Sequence, residues 1–263
     1  EKGKMAPGCR ELTAMKVESY DEAQLDALRR GDLARCFGPL FKSLGLQRPL
    51  SIPGGRMKLV DRIVKIEPKG GRYGLGLIRA EADIHPDDWF LTCHFVDDRV
   101  MPGTLMYECC MHTLRIFLLR MGWVAEADEV SLEPVQGTTS RLKCRGQVLE
   151  TTTVVTYEIA LKELGIHPEP YAIADARMYA DGKYIVDMED MSIRMAGISF
   201  DKLAALWQSK PESKNDNRPH EFKPAVYDET RIIAFTQGKP SMAFGAPYKI
   251  FDEGGRIAGL PRV

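Results

Sequence analysis

Residues 103 to about 122 form one long helical segment that is apolar almost all the way round. Leu105, Met106, Cys109, Cys110, Met111, Leu114, Ile116, Phe117, Leu118 and Leu119 cover its whole circumference. Such a helix has no face to offer water, so the rest of the chain must enclose it. The flanking sequence reads mostly as strands. Residues 57–67 set Met57, Leu59 and Ile63 among charges, Gly70-Gly71 signals a turn, and residues 73–83 read as the returning strand. After the helix, strands are expected at 129–135, 140–149 (alternating Leu142, Cys144, Gly146 and Val148), 152–162, 171–179 and 184–195. The tight-turn pair Asp181-Gly182 joins the last two. Strands joined by short turns make an antiparallel sheet. A curved antiparallel sheet wrapped around one buried central helix is an α+β arrangement, the hot dog.

The remaining features bound the class. A net charge of −1 gives no basic field for nucleic acid. No apolar run reaches the roughly 18 residues of a membrane span, and residues 1–7 lack the apolar core of a signal peptide. Cysteines 9, 36, 93, 109, 110 and 144 show no C-x-x-C pair, which fits reduced, mostly buried thiols and a cytoplasmic setting without a bound metal. The first residue is not methionine, so a fragment of a longer chain is expected.

A repeat organises the ends. Tyr20-Asp21-Glu22, Gly31 and Phe37-Gly38 recur as Tyr227-Asp228-Glu229, Gly238 and Phe244-Gly245, with Leu40-Phe41 against Pro247-Tyr248, at a constant offset of 207 residues. In the first copy a short amphipathic helix is expected, with Leu25, Leu28 and Leu33 facing inward. The expected layout is an arm over 1–18, a hot-dog domain over 19–198, a polar linker over 199–222, and the start of a second, truncated repeat over 223–263.

The chemistry gathers in residues 88–108. His94 is followed by a Met101-Pro102-Gly103 corner, and Glu108 lies a turn or so inside the helix. A lone histidine is more often structural than catalytic. A carboxyl on a buried helix, however, must find a partner or stay protonated. Proline suits a helix start, glycine lets a ligand approach the backbone, and first-turn N–H groups can bind a developing oxyanion. A base, an acid and an oxyanion site suit β-elimination from a 3-hydroxyacyl thioester. Neutral His94 would take the α-proton, and Glu108, its pKa expected to be raised by burial, would protonate the leaving hydroxide. The apolar helix is expected to line a tunnel for an acyl chain. The other histidines read as solvated or as part of loops: His85 beside Pro86, His167 beside Pro168, and His220 in the linker. Adjacent Cys109 and Cys110 read as core thiols rather than a metal pair.

Trp89-Phe90, Cys93-His94-Phe95, Asp98 and Val100-Met101-Pro102-Gly103-x-Leu105, with Met57-Lys58-Leu59-Val60-Asp61-Arg62-Ile63 upstream, strongly resemble the bacterial 3-hydroxyacyl-[acyl-carrier-protein] dehydratases, especially the 3-hydroxydecanoyl type. Met101 to Glu108, Glu133-Pro134-Val135-Gln136-Gly137, Cys144-Arg145-Gly146-Gln147-Val148 and Pro168-Glu169-Pro170-Tyr171 resemble the dehydratase domains of polyunsaturated fatty acid synthases, which carry such domains in tandem. The resemblance implies a dimer or tandem pseudo-dimer of hot dogs with the site at their interface. It implies an acyl carrier protein as partner and no cofactor. It makes His94 the catalytic histidine and Glu108 its acidic partner from the other hot dog. The Gly103 N–H becomes the oxyanion donor, and Cys93, Phe95, Met101, Pro102 and His112 become substrate-side residues. Two positions depart from the family pattern: His112 where glutamine is usual, and Arg99 where proline is usual. They keep open a catalytically inactive scaffold paired with an active sister domain. A hot-dog thioesterase is a third reading, against which the Met-Pro-Gly corner and the acid fourteen residues past His94 argue.

Overall fold

The alternating strands and the enclosed helix find each other as the pattern requires. The computed structural model describes residues 2–95, 97–208, 228–245, 249 and 252. The chain divides into two units, Glu1–Glu212 and Ser213–Val263. In the first unit the elements run β1 (Lys4–Met5), β2 (Glu18–Tyr20), α1 (Glu22–Arg29), α2 (Leu33–Phe37), β3 (Arg62–Glu67), β4 (Leu77–Asp83), α3 (Trp89–Cys93), α4 (Gly103–Arg120), β5 (Ser131–Glu133), β6 (Arg141–Cys144), β7 (Val154–Gly165), β8 (Tyr171–Ala180), β9 (Lys183–Ala196) and α5 (Phe200–Gln208). Turns of 3-10 helix cover Pro39–Leu44 and Gly55–Met57. The sheet order is β2-β3-β4-β7-β8-β9-β5, antiparallel throughout that path. β1 adds in parallel to the far end of β7, and β6 shares the outer edge of β9 with β5.

α4 lies against β4, β7 and β8, and the sequence shows why it can lie so close. The core face of β8 is Ala172, Ala174, Ala176, Met178 and Ala180, all buried, so small side chains leave depth for the bulk on the helix. At Gly76 (φ 141°) a Cβ would sit 2.3 Å from the ring of Phe117, so only glycine admits that ring. Burial of Leu114, Ile116, Phe117, Leu118 and Leu119 supplies apolar contact of about 1.5–3 kcal/mol per side chain. The result is a hot dog, a curved antiparallel sheet enclosing a central helix.

Several boundaries differ from the sequence reading. The expected strand at 57–67 begins only at Arg62, because Met57 closes a 3-10 turn whose Lys58 N–H bonds Gly55. The strand expected at 73–83 starts at Leu77, since residues 71–76 are used by the turn over Phe117. The strand expected at 140–149 shortens to β6, where Leu142 and Cys144 are exposed and only Val148 of the alternating set is buried. The arm over 1–18 is not loose. It contributes β1 and part of β2, and Thr13 is buried, donating to the Arg120 carbonyl at 2.8 Å. The linker expected over 199–222 begins instead with α5, whose Phe200, Leu203 and Ala204 are buried and whose Trp207 Nε1 donates to the Gly122 carbonyl at 2.8 Å. Phe200, Leu203 and Ala204 stand at helical spacing ahead of the polar run. The rest of that linker, residues 209–222, and Tyr227 and Pro247-Tyr248 of the repeat lie outside the described residues.

In the second unit, α6 (Glu229–Thr236) and α7 (Pro240–Phe244) form a helix pair. Among the described residues no helix is long and apolar enough to cross a membrane.

Candidate active site

α3 delivers His94 at its C-terminal end, and the chain then folds back on itself. The Val100 N–H donates to the His94 carbonyl at 3.0 Å, and the Met101 N–H donates to the Val148 carbonyl at 3.0 Å. Val100 also bridges to Leu149, so the loop is fastened to the segment ahead of β7. Arg99 adds to this fastening. It pairs with Glu150 at 2.5 Å and donates to the Pro86 carbonyl, so the position where proline is usual acts here as a loop staple. The His94–Phe95 peptide is cis, and the two rings lie 4.0 Å apart between centroids.

His94 Nδ1 lies 3.0 Å from the Val100 carbonyl oxygen. A carbonyl can only accept, so in the neutral ring Nδ1 carries the proton and Nε2 presents its lone pair. Nε2 has no hydrogen bond among the described residues.

Pro102 is the N-cap of α4 and has no side chain to satisfy the first turn. The Gly103 N–H meets no acceptor among the described residues, as expected for the orphan donors of a helix start. A Cβ at Gly103 would find only Cys144 Sγ, at 3.8 Å, so the approach to this amide is open. Tyr107, in the second turn, bonds Ser140 Oγ at 3.1 Å, and Ser140 donates to the Asp190 carbonyl at 2.9 Å. Asp190 sits at a β9 bulge with φ 57°, held by Lys162 Nζ at 2.6 Å and by its own N–H donating to Asp175. The rotation of α4 is thus tied to the sheet beside Glu108.

Glu108 corrects the sequence reading. Its carboxyl is about one-third exposed rather than enclosed. His112 Nε2 lies 3.1 Å from Oε1 and Arg115 Nη2 lies 3.7 Å from the same oxygen. The pKa of Glu108 is lowered, not raised. The His112 interaction is the largest cause, partial desolvation opposes it, and the charge of Arg115 adds to the lowering. Arg115 was missed in the sequence, though its spacing of seven residues puts it on the same helix face two turns on. The expected acyl tunnel along α4 is also corrected, because most of the helix is packed shut. A cavity of about 260 Å³ opens instead beside Met101, lined by Leu59, Ala82, Phe90 and Tyr157 among others, with no α4 residue.

The structure therefore ties His94 to Val100, next in the chain to the Met101-Pro102-Gly103 corner. It joins Glu108 to His112 as a separate group. No hydrogen bond or ion pair among the described residues links Glu108 to His94. Cys93 and Phe95 are exposed, whereas Met101 and His112 are buried. All six cysteines are unpaired.

An enclosed central helix with a histidine loop at its N-terminus defines a class of hot-dog domains. The model of the FabA-like domain matches residues 52–189, over half of the chain, and the chain belongs to that family. Solved structures with similar coordinates are remote. A dehydratase heterocomplex, ApeI:P from Xenorhabdus doucetiae, is 12% identical, with 59% of this chain and 91% of that one covered and a TM-score of 0.36. AziG of S. sahachiroi is 11% identical, with 62% and 99% covered and a TM-score of 0.34. A hypothetical thioesterase with coenzyme A from Streptococcus pneumoniae TIGR4 is 10% identical, with 47% and 80% covered and a TM-score of 0.34.

Proposed function

We propose that this domain dehydrates 3-hydroxyacyl thioesters, carried on an acyl carrier protein, to trans-2-enoyl thioesters. The observation that supports it most is the contact of His94 Nδ1 with the Val100 carbonyl, which leaves the Nε2 lone pair of the neutral ring free, together with the uncapped N-terminus of α4. Nε2 takes the α-proton. Negative charge grows on the thioester oxygen, and the Gly103 N–H and the α4 dipole stabilise it. The cavity beside Met101 has room for part of an acyl chain.

The acid comes from Glu108 of a second hot dog, since no hydrogen bond or ion pair among the described residues joins Glu108 to His94 within this one. Phe95, Leu142 and Leu149 are exposed apolar side chains on or near the fastened loop and β6, which suits cover by a second domain of the same kind. That second domain is another copy of this chain. A second reading has one observation in its favour: a carboxyl held ionised by His112 and Arg115 is a poor proton donor, as in a scaffold domain that supports an active sister.

Incubation with 3-hydroxyacyl thioesters of several chain lengths, read by mass spectrometry, tests the proposal. The expected product is the enoyl thioester, with a loss of at least roughly 10²-fold in rate for His94→Ala. Free acid as product, or full activity in His94→Ala, overturns it.

A further inference from the structure

His112 is the buried titratable group that this reaction leaves unused. Its side chain is 2% exposed, one helical turn past Glu108, with Nε2 3.1 Å from Glu108 Oε1. The approach is close, it is the largest influence holding the Glu108 carboxyl low, and Nε2 has no other partner among the described residues. A buried ring nitrogen left unpaired is costly, so the group it faces is the one it must pair with. What it faces is the carboxyl oxygen. The charged groups acting on Glu108 are His112 and Arg115, both on α4. Of the strands packed against α4, β7 brings in the buried Tyr157, whose hydroxyl is coupled to Cys109 and not to Glu108. Arg115 contributes charge but cannot release a proton. Among the described residues, His112 is therefore the neighbour able to hold a proton for this carboxylate.

We propose that His112 is the proton store of Glu108: the two side chains act as a single acid, sharing one proton that passes through the carboxylate to the departing hydroxyl. The inference rests on the dehydratase reading. His94 Nε2 takes the proton from C2, the C–H electron pair becomes the C2=C3 bond, and the C3–O bond breaks. The oxygen leaves as water with the shared proton, delivered through Glu108. The proton gained by His94 and the one lost by the pair then balance through solvent, and no oxidant or reductant is consumed. His112 touches Glu108 and not the substrate, so it is a positioning residue. It also answers the objection that an ionised Glu108 has nothing to donate.

The test uses the whole chain and a soluble 3-hydroxyacyl thioester. His112→Gln should lower kcat by roughly 10²-fold at neutral pH, the low end of general-acid contributions, with KM little changed. The alkaline limb of its kcat profile should move to lower pH, because Glu108 alone must then carry the proton. Carbon-13 titration of the Glu108 carboxyl should move to higher pH in the same variant, since its main source of lowering is gone. The double variant Glu108→Gln/His112→Gln should be no slower than Glu108→Gln, because a store has no function without its outlet. An unchanged kcat and pH profile in His112→Gln, an unmoved Glu108 titration, or a further loss in the double variant overturns the store and leaves the dehydratase reading standing. If His112→Gln does not fold, His112→Asn takes its place in each arm. A wild-type chain that turns over no thioester at any pH overturns both readings together.

Discussion

The helix pair α1–α2 and the helix pair α6–α7 are copies of one another at the 207-residue offset, and they end in opposite surroundings. Locally they match closely. Asp21 and Asp228 cap the first helix of each pair, accepting the N3 amide at 2.8 and 2.9 Å. Gly31 and Gly238 turn the chain at φ 79° and 77°, and Gly38 and Gly245 end the second helix at φ 107° and 102°. The turn bonds also repeat, Asp32 N–H to the Ala27 carbonyl and Lys239 N–H to the Ala234 carbonyl, both 2.9 Å. Burial then separates the copies. Leu25 and Leu28 are fully buried, while the residues at their positions, Ile232 and Phe235, are more than half exposed. The lesson is that caps and glycines are enough to set the helix–turn–helix, whereas its stability depends on a sheet to pack against. Packing of an amphipathic face, rather than propensity, supplies most helical stability.

The largest expected difference comes from an anchor that only the first copy has. Glu18, just ahead of α1, meets Arg120 at the end of α4 through Nε and Nη2, both at 2.7 Å, and the guanidinium also reaches Thr13, Ala14 and Tyr20. Ala225 stands at the Glu18 position of the second copy. Glu18→Gln, which leaves Arg120 buried without its carboxylate, should cost about 3–5 kcal/mol in urea unfolding of the Glu1–Glu212 unit. The same pair sets an acid limit. Burial by itself would raise the Glu18 pKa, but the bonds from Arg120 and Tyr20 outweigh it and the net shift is downward. A carboxyl lowered in the folded state stabilises above its unfolded value and loses that contribution as pH falls through the native value. Wild-type stability should therefore decline as pH falls below about 4.5, the unreleased glutamate value, and Glu18→Gln should flatten that part of the curve. An equal decline in the variant would break the assignment.

Next in size is the core contact. Leu28→Ala should destabilise by about 2–5 kcal/mol. Phe235→Ala should change unfolding of the Glu1–Glu212 unit by no more than roughly 0.5 kcal/mol, as for an exposed position. Equal effects would show that the second pair is as firmly covered as the first. The smallest effect is in the caps. Asp21→Ala should cost about 1 kcal/mol, read as earlier unfolding. Asp228→Ala should leave that transition in place and raise amide exchange only within α6. The first copy has more to lose, because Gln24 also bonds back to the Asp21 N–H and its side chain reaches the Cys36 carbonyl, whereas Arg231 at the equivalent position has no acceptor to return.

The site divides in the same way between local and distant causes. The loop from His94 to Gly103 was legible because its parts are contiguous: a histidine, a corner and a helix start. Arg115 was legible in principle from helical spacing. The direction of the Glu108 pKa was legible in part. The i, i+4 spacing puts His112 on its face, where a charged ring favours the carboxylate, but the spacing could not say whether that contact or burial on an apolar helix prevails. Nor could the sequence show that α4 is packed too tightly to line a cavity. That depended on the alanines of β8 and on Gly76 meeting Phe117, which lie far from α4 in the chain.

By itself the sequence determined the enclosed helix, the strand pattern around it, the first helix of the repeated segment and the residues of the histidine loop. Each follows from periodicity, capping or backbone freedom within a few residues. The tertiary structure alone decided which side chains of each copy are buried, which arm residues hold Arg120, and that the Glu108 pKa falls rather than rises. Those outcomes depend on what is brought within a few ångströms across long stretches of chain, and both desolvation and Coulomb interaction act over distance in space rather than along the sequence.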